Sequence, residues 1–221
     1  MENFKEARDN IFREITSDDA GVRAEFLEHF SSEMKTFSEK MGRAVVTWRL
    51  MDSDLKGDNK RAGVSALVFT AIDLHIVSMK LFVSGYSVAA GNLSRQTVET
   101  ISLAIVCSKK ELGILDRFLA NKYSTSDAVR DALRYSKKLG LHDDGIIAIK
   151  QAREFYHSYS HPSKMTIANL ISFSHPGTIY MGANFDQGKI DAYRKEINNR
   201  VRLSMLFCNF IDGVKNTVAK W

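Results

Sequence analysis

The stretch Ala62-Gly63-Val64-Ser65-Ala66-Leu67-Val68-Phe69-Thr70-Ala71-Ile72-Asp73-Leu74-His75-Ile76-Val77-Ser78-Met79-Lys80-Leu81-Phe82-Val83-Ser84 is apolar over almost its whole length. It reads as a helix with apolar side chains on most of its faces, which is the signature of a helix at the centre of a bundle. Asp73, His75 and Lys80 are its polar exceptions, and Gly85 stands where a left-handed residue would end it. The same three residues interrupt the run from Val64 to Val83, so it makes a poor membrane span and no membrane partner is expected.

The flanking segments are amphipathic. Before it, Val22, Phe26, Phe30, Phe37, Met41, Val45 and Trp48 step by three, four or seven, with Glu25, Glu28, Glu33, Lys35 and Lys40 on the other face. This long helix should end near Met51, and Asp52 to Lys60 reads as a loop. Phe4, Ala7, Ile11 and Ile15 mark a shorter first helix, broken or capped by Thr16-Ser17-Asp18-Asp19. After Gly85, a helix from Tyr86 to Ser108 carries Ser87, Ala89, Ala90, Gly91 and Ser94, small enough to let a neighbour pack close. Arg95 and Glu99 form an i,i+4 pair on it. Two short helices follow, Leu112 to Lys122 and Asp127 to Leu139. Ser124 to Asp127 caps the second and Gly140 stops it.

Residues 165–173 and 178–185 are β-branched and aromatic with rough alternation, around the turn chemistry of Ser174-His175-Pro176-Gly177. They predict a β-hairpin. Asp186 then caps a last helix with Ile190, Tyr193, Ile197, Val201, Met205, Cys208 and Ile211 in one stripe. The fold expected is an all-α antiparallel bundle of six to eight helices with one small late β-hairpin. It is read as one domain over residues 1–221, with the helices of residues 1–52 at a homodimer interface because of their excess of large apolar side chains.

Composition agrees with a globular chain. Of 221 residues, 44% are apolar and 26% charged, and 2 prolines with 13 glycines argue against disorder and against a turn-rich β fold. Met1 to Arg13 is charged and has no apolar signal region, so a cytoplasmic protein is expected. Cys107 and Cys208 lie in apolar helical patterns and read as buried thiols, without disulfide or zinc spacing. Residues 130–221 carry 14 Lys and Arg against 8 Asp and Glu, while residues 1–129 carry 17 against 18. A basic C-terminal half fits an acidic partner such as RNA, although a solvated basic surface is the plainer reading.

The candidate site is Arg153-Glu154-Phe155-Tyr156-His157-Ser158-Tyr159-Ser160-His161-Pro162. Arg153, His157 and His161 are four apart, which stacks them on one helical face, in a helix that starts at Asp143-Asp144 and is closed by Pro162. Two histidines at i,i+4 have the spacing of a helical metal site, but the glutamate of such motifs is missing. A third ligand would have to come from His142, His175 or Glu99, and no metal or other cofactor is assigned. Arg153 with His157 or His161 could instead cleave RNA without metal, an imidazole moving the 2′-hydroxyl proton and the guanidinium holding the phosphate. Arg95, Glu99, Tyr156 and Ser160 are the supporting residues. The structural alternatives are a carboxylate partner for Arg153, histidines that cap the bundle end, and an Arg95–Glu99 pair that ties two helices. Tyr156, Tyr159, Phe155 and Phe173 read as core rather than as a base-stacking platform.

The segments Gly91 to Thr100, with Arg95 and Glu99 as R-x-x-x-E, and Tyr156 to Pro162, with Tyr156, Ser160 and His161, resemble uncharacterised bacterial and phage helical families distantly similar to HEPN domains. The resemblance implies an antiparallel bundle, often dimeric, in a toxin-like or phage-defence setting. It also implies a ribonuclease motif of an arginine and a histidine with about four to six residues between them. This chain departs from that motif: Arg153 and His157 have three residues between them, Arg153 and His161 seven. Two functions follow: a non-enzymatic module that binds a protein or RNA partner, which the departure favours, and a metal-independent ribonuclease using Arg153, His157 and His161.

Overall fold

The structure is a computed structural model and describes residues 4–55 and 57–221. Among them are ten α-helices: α1 Phe4–Thr16, α2 Ala20–Asp54, α3 Asn59–Val83, α4 Ser87–Ser108, α5 Ile114–Leu119, α6 Thr125–Arg134, α7 Ser136–Leu139, α8 Asp143–His157, α9 Lys164–Leu170 and α10 Ile190–Val218. The chain is all-α, as its periodicity indicates. The count exceeds six to eight because Asp127 to Leu139 breaks into α6 and α7 at Tyr135, and because α9 replaces a predicted strand.

The central stretch becomes α3. Asp58 caps it by accepting from the Lys60 and Arg61 amides at 2.9 and 3.1 Å. Gly85, at φ 89°, ends it, with the Tyr86 amide donating to the Leu81 carbonyl at 2.9 Å. Any side chain at Gly85 would meet the Asn184 backbone at 2.5 Å, so close packing as well as conformation requires glycine here. By length and apolarity alone α3 could cross a bilayer. In this fold its Val64, Val68, Ala71, Ile72 and Phe82 are buried in the common core.

The core sits between α2, α3, α4 and α10. Thirteen of the 22 residues of α4 are buried, so α4 is more enclosed than α3. The α2 apolar stripe is spent inside the chain. Phe26, Phe30, Phe37 and Met41 are buried, and the Phe26 ring lies 4.9 to 5.2 Å from those of Phe82, Phe185 and Tyr193. The excess that suggested an α2 dimer face is therefore core material; Leu27 is exposed and Trp48 packs on Phe69 at 4.4 Å.

Contacts at both ends fix the directions. The Arg23 guanidinium donates to Ser84, and the Ser65 hydroxyl to Asp52, so α2 runs antiparallel to α3. Arg194 pairs with Glu33 and Lys215 with Asp54, so α2 and α10 run parallel. The bundle is therefore mixed in direction rather than strictly antiparallel.

The late β-hairpin is not there. Residues 164–170 are helical, because Ser163 and Thr166 form a reciprocal capping box that nucleates α9 ahead of the β-branched residues. One antiparallel bridge remains, Ile171 to Ile179, flanked by Ser172 N–H to the Thr178 carbonyl at 2.9 Å and Tyr180 N–H to Leu170 at 2.7 Å. Asp186 explains why this loop holds without strands. Its carboxylate accepts from the Phe173, Ser174 and Gly188 amides and from the Ser174 hydroxyl, at 2.5 to 3.2 Å. It thus caps the 3-10 turn that leads into α10 rather than α10 itself.

Candidate functional site

α8 lies across α4 and α10 with its C-terminal end over the N-terminal half of α4. That close approach needs Gly91, because a Cβ there would stand 2.3 Å from Cγ of Tyr159. Of α8 only Ile149 and Tyr156 are buried. Flanking that buried side, Lys150, Arg153 and His157 are exposed to solvent, at i, i+3 and i+7. The helix ends at His157, one turn earlier than Pro162 implies. Turn hydrogen bonds from Tyr159 N–H to Tyr156 and from Ser160 N–H to His157 carry the chain on to His161.

The two imidazoles still meet. The ring centroids of His157 and His161 are 5.2 Å apart, tilted at 69°, and both residues are exposed. Among the described residues, Arg153, His157 and His161 have no ion-pair partner, so the alternative of a carboxylate partner for Arg153 is not met. Arg95 and Glu99 do pair, Nε to Oε1 at 2.9 Å, and both are largely covered. Arg95 also donates to the Ser160 hydroxyl, which donates to the His157 carbonyl at 2.9 Å. The pair therefore clamps the turn between the two histidines to α4. Of the proposed set, Arg95, Glu99, Ser160, His157 and His161 are brought to one place, and Arg153 continues the same surface a turn back along α8.

Tyr156 is 1% exposed, beneath this surface rather than on it. Burial pushes its phenol up to about 12. Its ring faces the Arg200 guanidinium at 5.6 Å. Arg200 is fully buried on α10 and pairs with Glu196, one turn before it. The Tyr159 hydroxyl donates to the same Glu196 carboxylate. Arg200 Nε also donates to the Ser78 hydroxyl at 3.1 Å, and Ser78 is bonded to Ser94 at 2.6 Å. Burial, then the Glu196 charge, hold the Tyr159 phenol far above its ordinary range. The network joins α3, α4, α8's end and α10, and within it the Tyr156 hydroxyl and Arg200 Nη2 are left without a hydrogen-bond partner.

Glu196 and Arg200 were missed in the sequence, although both fall on the buried register of α10 beside Ile197 and Val201. A charged pair inside an apolar stripe was the available signal. Lys150 and Lys164 were missed as well. Both are exposed, and from 145 to 185 Glu154 is the only acidic residue. Phe173 is 54% exposed and not core. His142 and His175 do not join the other histidines: among the described residues no group of three His, Cys, Asp or Glu side chains converges.

A groove of about 710 Å³ opens between α4, α8 and α10, lined by Val98, Ile101, Ile149, Leu203, Phe207 and Val214. Of the candidate residues, His142 lines it, and Arg95, Glu99, Arg153, Tyr156, His157, Ser160 and His161 do not. Arg153, His157 and His161 thus stand on an open face and not in this concavity. No protein-family model, no curated protein and no solved structure matches the chain.

Proposed function

We propose that the chain is a non-enzymatic binding module whose exposed ribbon, Lys150, Arg153, His157, His161 and Lys164, takes the phosphate backbone of RNA. The observation that supports this reading is that these side chains stand in solvent along one surface without carboxylate partners. Unpaired cations keep their full charge for a polyanion and need not break internal bonds to meet it. The clamp from Arg95 to Ser160 orders the turn between the histidines, so part of the ordering cost is met before binding. The resemblance to HEPN-like families supports the same class, since this chain lacks the arginine-to-histidine spacing of the nucleases among them.

A labelled single-stranded RNA tests the reading. With about four phosphate contacts, affinity should fall roughly 50-fold between 50 and 200 mM salt. Lys150→Glu with Arg153→Glu should weaken binding and flatten the salt slope while the circular dichroism stays unchanged. Salt-independent binding, or none at tens of micromolar, would overturn it.

The 5.2 Å approach of His157 and His161 favours one second reading. One imidazole could take the 2′-hydroxyl proton while the other, protonated, gives one to the leaving 5′-oxygen. Cleavage of the same RNA by wild type, lost in a normally folded His161→Ala, would replace the binding module with the ribonuclease.

A further inference from the structure

Among the described residues, α1 and α9 have no buried residue, and neither has the four-residue α7. α1 and α9 both expose large apolar side chains. Phe4, Ile11, Phe12 and Ile15 of α1 are 83, 49, 66 and 75% exposed. From α9 and the loop after it, Met165, Ile167, Leu170, Ile171, Phe173, Ile179 and Met181 are 39 to 74% exposed. These eleven account for more than half of the nineteen large apolar side chains exposed among the described residues, so the exposure is concentrated.

The two segments adjoin. Glu14, in the last turn of α1, accepts from the Ala183 amide at 3.0 Å and from the Tyr86 hydroxyl at 3.3 Å. Ile15 is thereby held next to the chain that follows Met181. Together the eleven side chains expose on the order of 1,300 Å² of apolar surface, at about 200 Å² for a fully exposed large side chain. The largest apolar patch of a typical monomer is about 300–600 Å². A stable interface takes roughly 800 Å² from each partner, about two thirds of what is shown here.

We infer that this face, α1 with residues 165–181, is the surface on which two copies of the chain associate. The charge pattern selects a second copy. Across a two-fold axis a charge near the axis faces its own copy, and residues 165–185 contain no Asp, Glu, Lys or Arg to be placed so. The three basic and three acidic residues of α1 cancel, with Arg8 paired to Asp9 at 2.8 Å. That balance also disfavours a bilayer, where an interfacial helix carries a basic polar face. A helix of 13 residues with nothing buried is marginal in water, and packing against a partner supplies what α1 lacks. Because Lys164 both ends the basic ribbon and starts α9, association through this face sets the two ribbons beside one another. The inference stands on apolar exposure and does not depend on the ribbon's ligand.

Sedimentation velocity of the intact chain from about 1 to 100 μM tests it. Wild type sediments as a dimer. Ile167→Glu with Ile179→Glu places charges in the middle of the face and weakens dimerisation by at least about 100-fold. Phe12→Glu with Ile15→Glu does the same from the other segment. All four positions are exposed, so circular dichroism and thermal midpoint of the variants at low concentration stay those of a folded chain. A wild-type monomer at 100 μM overturns the inference, whether or not it binds uncharged phosphatidylcholine vesicles or another protein. A dimer that neither double variant weakens overturns it too.

Discussion

His75 should make this fold sensitive to pH in a way that one substitution removes. The residue is wholly buried on α3, with its ring 5.0 Å from Phe37 and stacked 5.3 Å from Phe207. Its Nε2 lies 3.0 Å from the Arg200 carbonyl. A carbonyl only accepts, so the ring hydrogen sits on Nε2, and Nδ1 is left without a partner. Protonating Nδ1 would place a second cation beside Arg200 in the core. Burial pushes the imidazole down from 6.5 to about 3; the bond to the Arg200 carbonyl opposes that shift and the Arg200 charge adds to it. The unfolded chain takes up its proton near pH 6.5 while the folded chain does not until near pH 3. The stability tied to neutral His75 is therefore complete above 6.5 and is lost as pH falls below it. From pH 7 to pH 5 the loss is about 2 kcal/mol. For a chain of this size that lowers the thermal midpoint by roughly 4–8 °C. His75→Gln keeps an amide donor for the Arg200 carbonyl and abolishes the titration. It should cost about 1–2 kcal/mol at pH 7 through lost ring packing. Urea denaturation at pH 5, 6 and 7 should then show a pH dependence shallower than wild type by about 2 kcal/mol. Parallel slopes for the two proteins would refute the argument, because surface carboxylates are common to both.

Asp186 should act at lower pH. Burial raises its pKa, but the bonds from the Ser174 hydroxyl and the Phe173, Gly188 and Ser174 amides outweigh that and hold it at about 2. Its stabilisation is present above pH 4 and lost as pH falls toward 2, about 2 kcal/mol in all; Asp186→Asn should remove that acid limb and lower urea stability at pH 7 by a similar amount. Gly91→Ala should cost about 3 kcal/mol or more in urea, because its Cβ would displace the Tyr159 ring and part Tyr159 from Glu196. Gly213→Ala, on α10 with nothing within 4 Å, should be neutral or stabilising by up to about 1 kcal/mol.

The helices that build the core were legible because one period, 3.6 residues, runs through Phe26 to Met41 and through Ile197 to Ile211, and packing follows it. The stop at Gly85 was legible for the same local reason. The strand reading at 165–173 failed because β-branched composition describes a half-buried surface and not a backbone, and the Ser163–Thr166 cap decided the backbone first. At the site, the i,i+4 spacing located His157 and His161 together even though the helix ends between them. What spacing does not reveal is depth. Tyr156 and Ser160 are four residues apart, yet one is in the core and the other bonds a guanidinium at the surface. The α2 stripe shows the same limit, since a wide apolar stripe looks alike whether a neighbour in the same chain or a second chain covers it.

The buried network and the exposed ribbon are one construction. Apolar residues of similar volume in place of Glu196, Arg200 and Tyr159 would be as stable or more so, since desolvating an ion pair offsets most of its attraction. Such a core would accept α8 in several rotations about its axis. With Tyr159 bonded to Glu196 and its ring against Gly91, only one rotation remains. A turn of one residue, about 100°, would carry His157 to the azimuth of Tyr156, which is buried, and Arg153 to that of the half-buried Ala152. Arg95, reaching Ser160 from α4, fixes the same rotation from the other side. The orientation that leaves Lys150, Arg153 and His157 in solvent is thus set by the buried Glu196–Arg200 pair from within and by Arg95 at the edge.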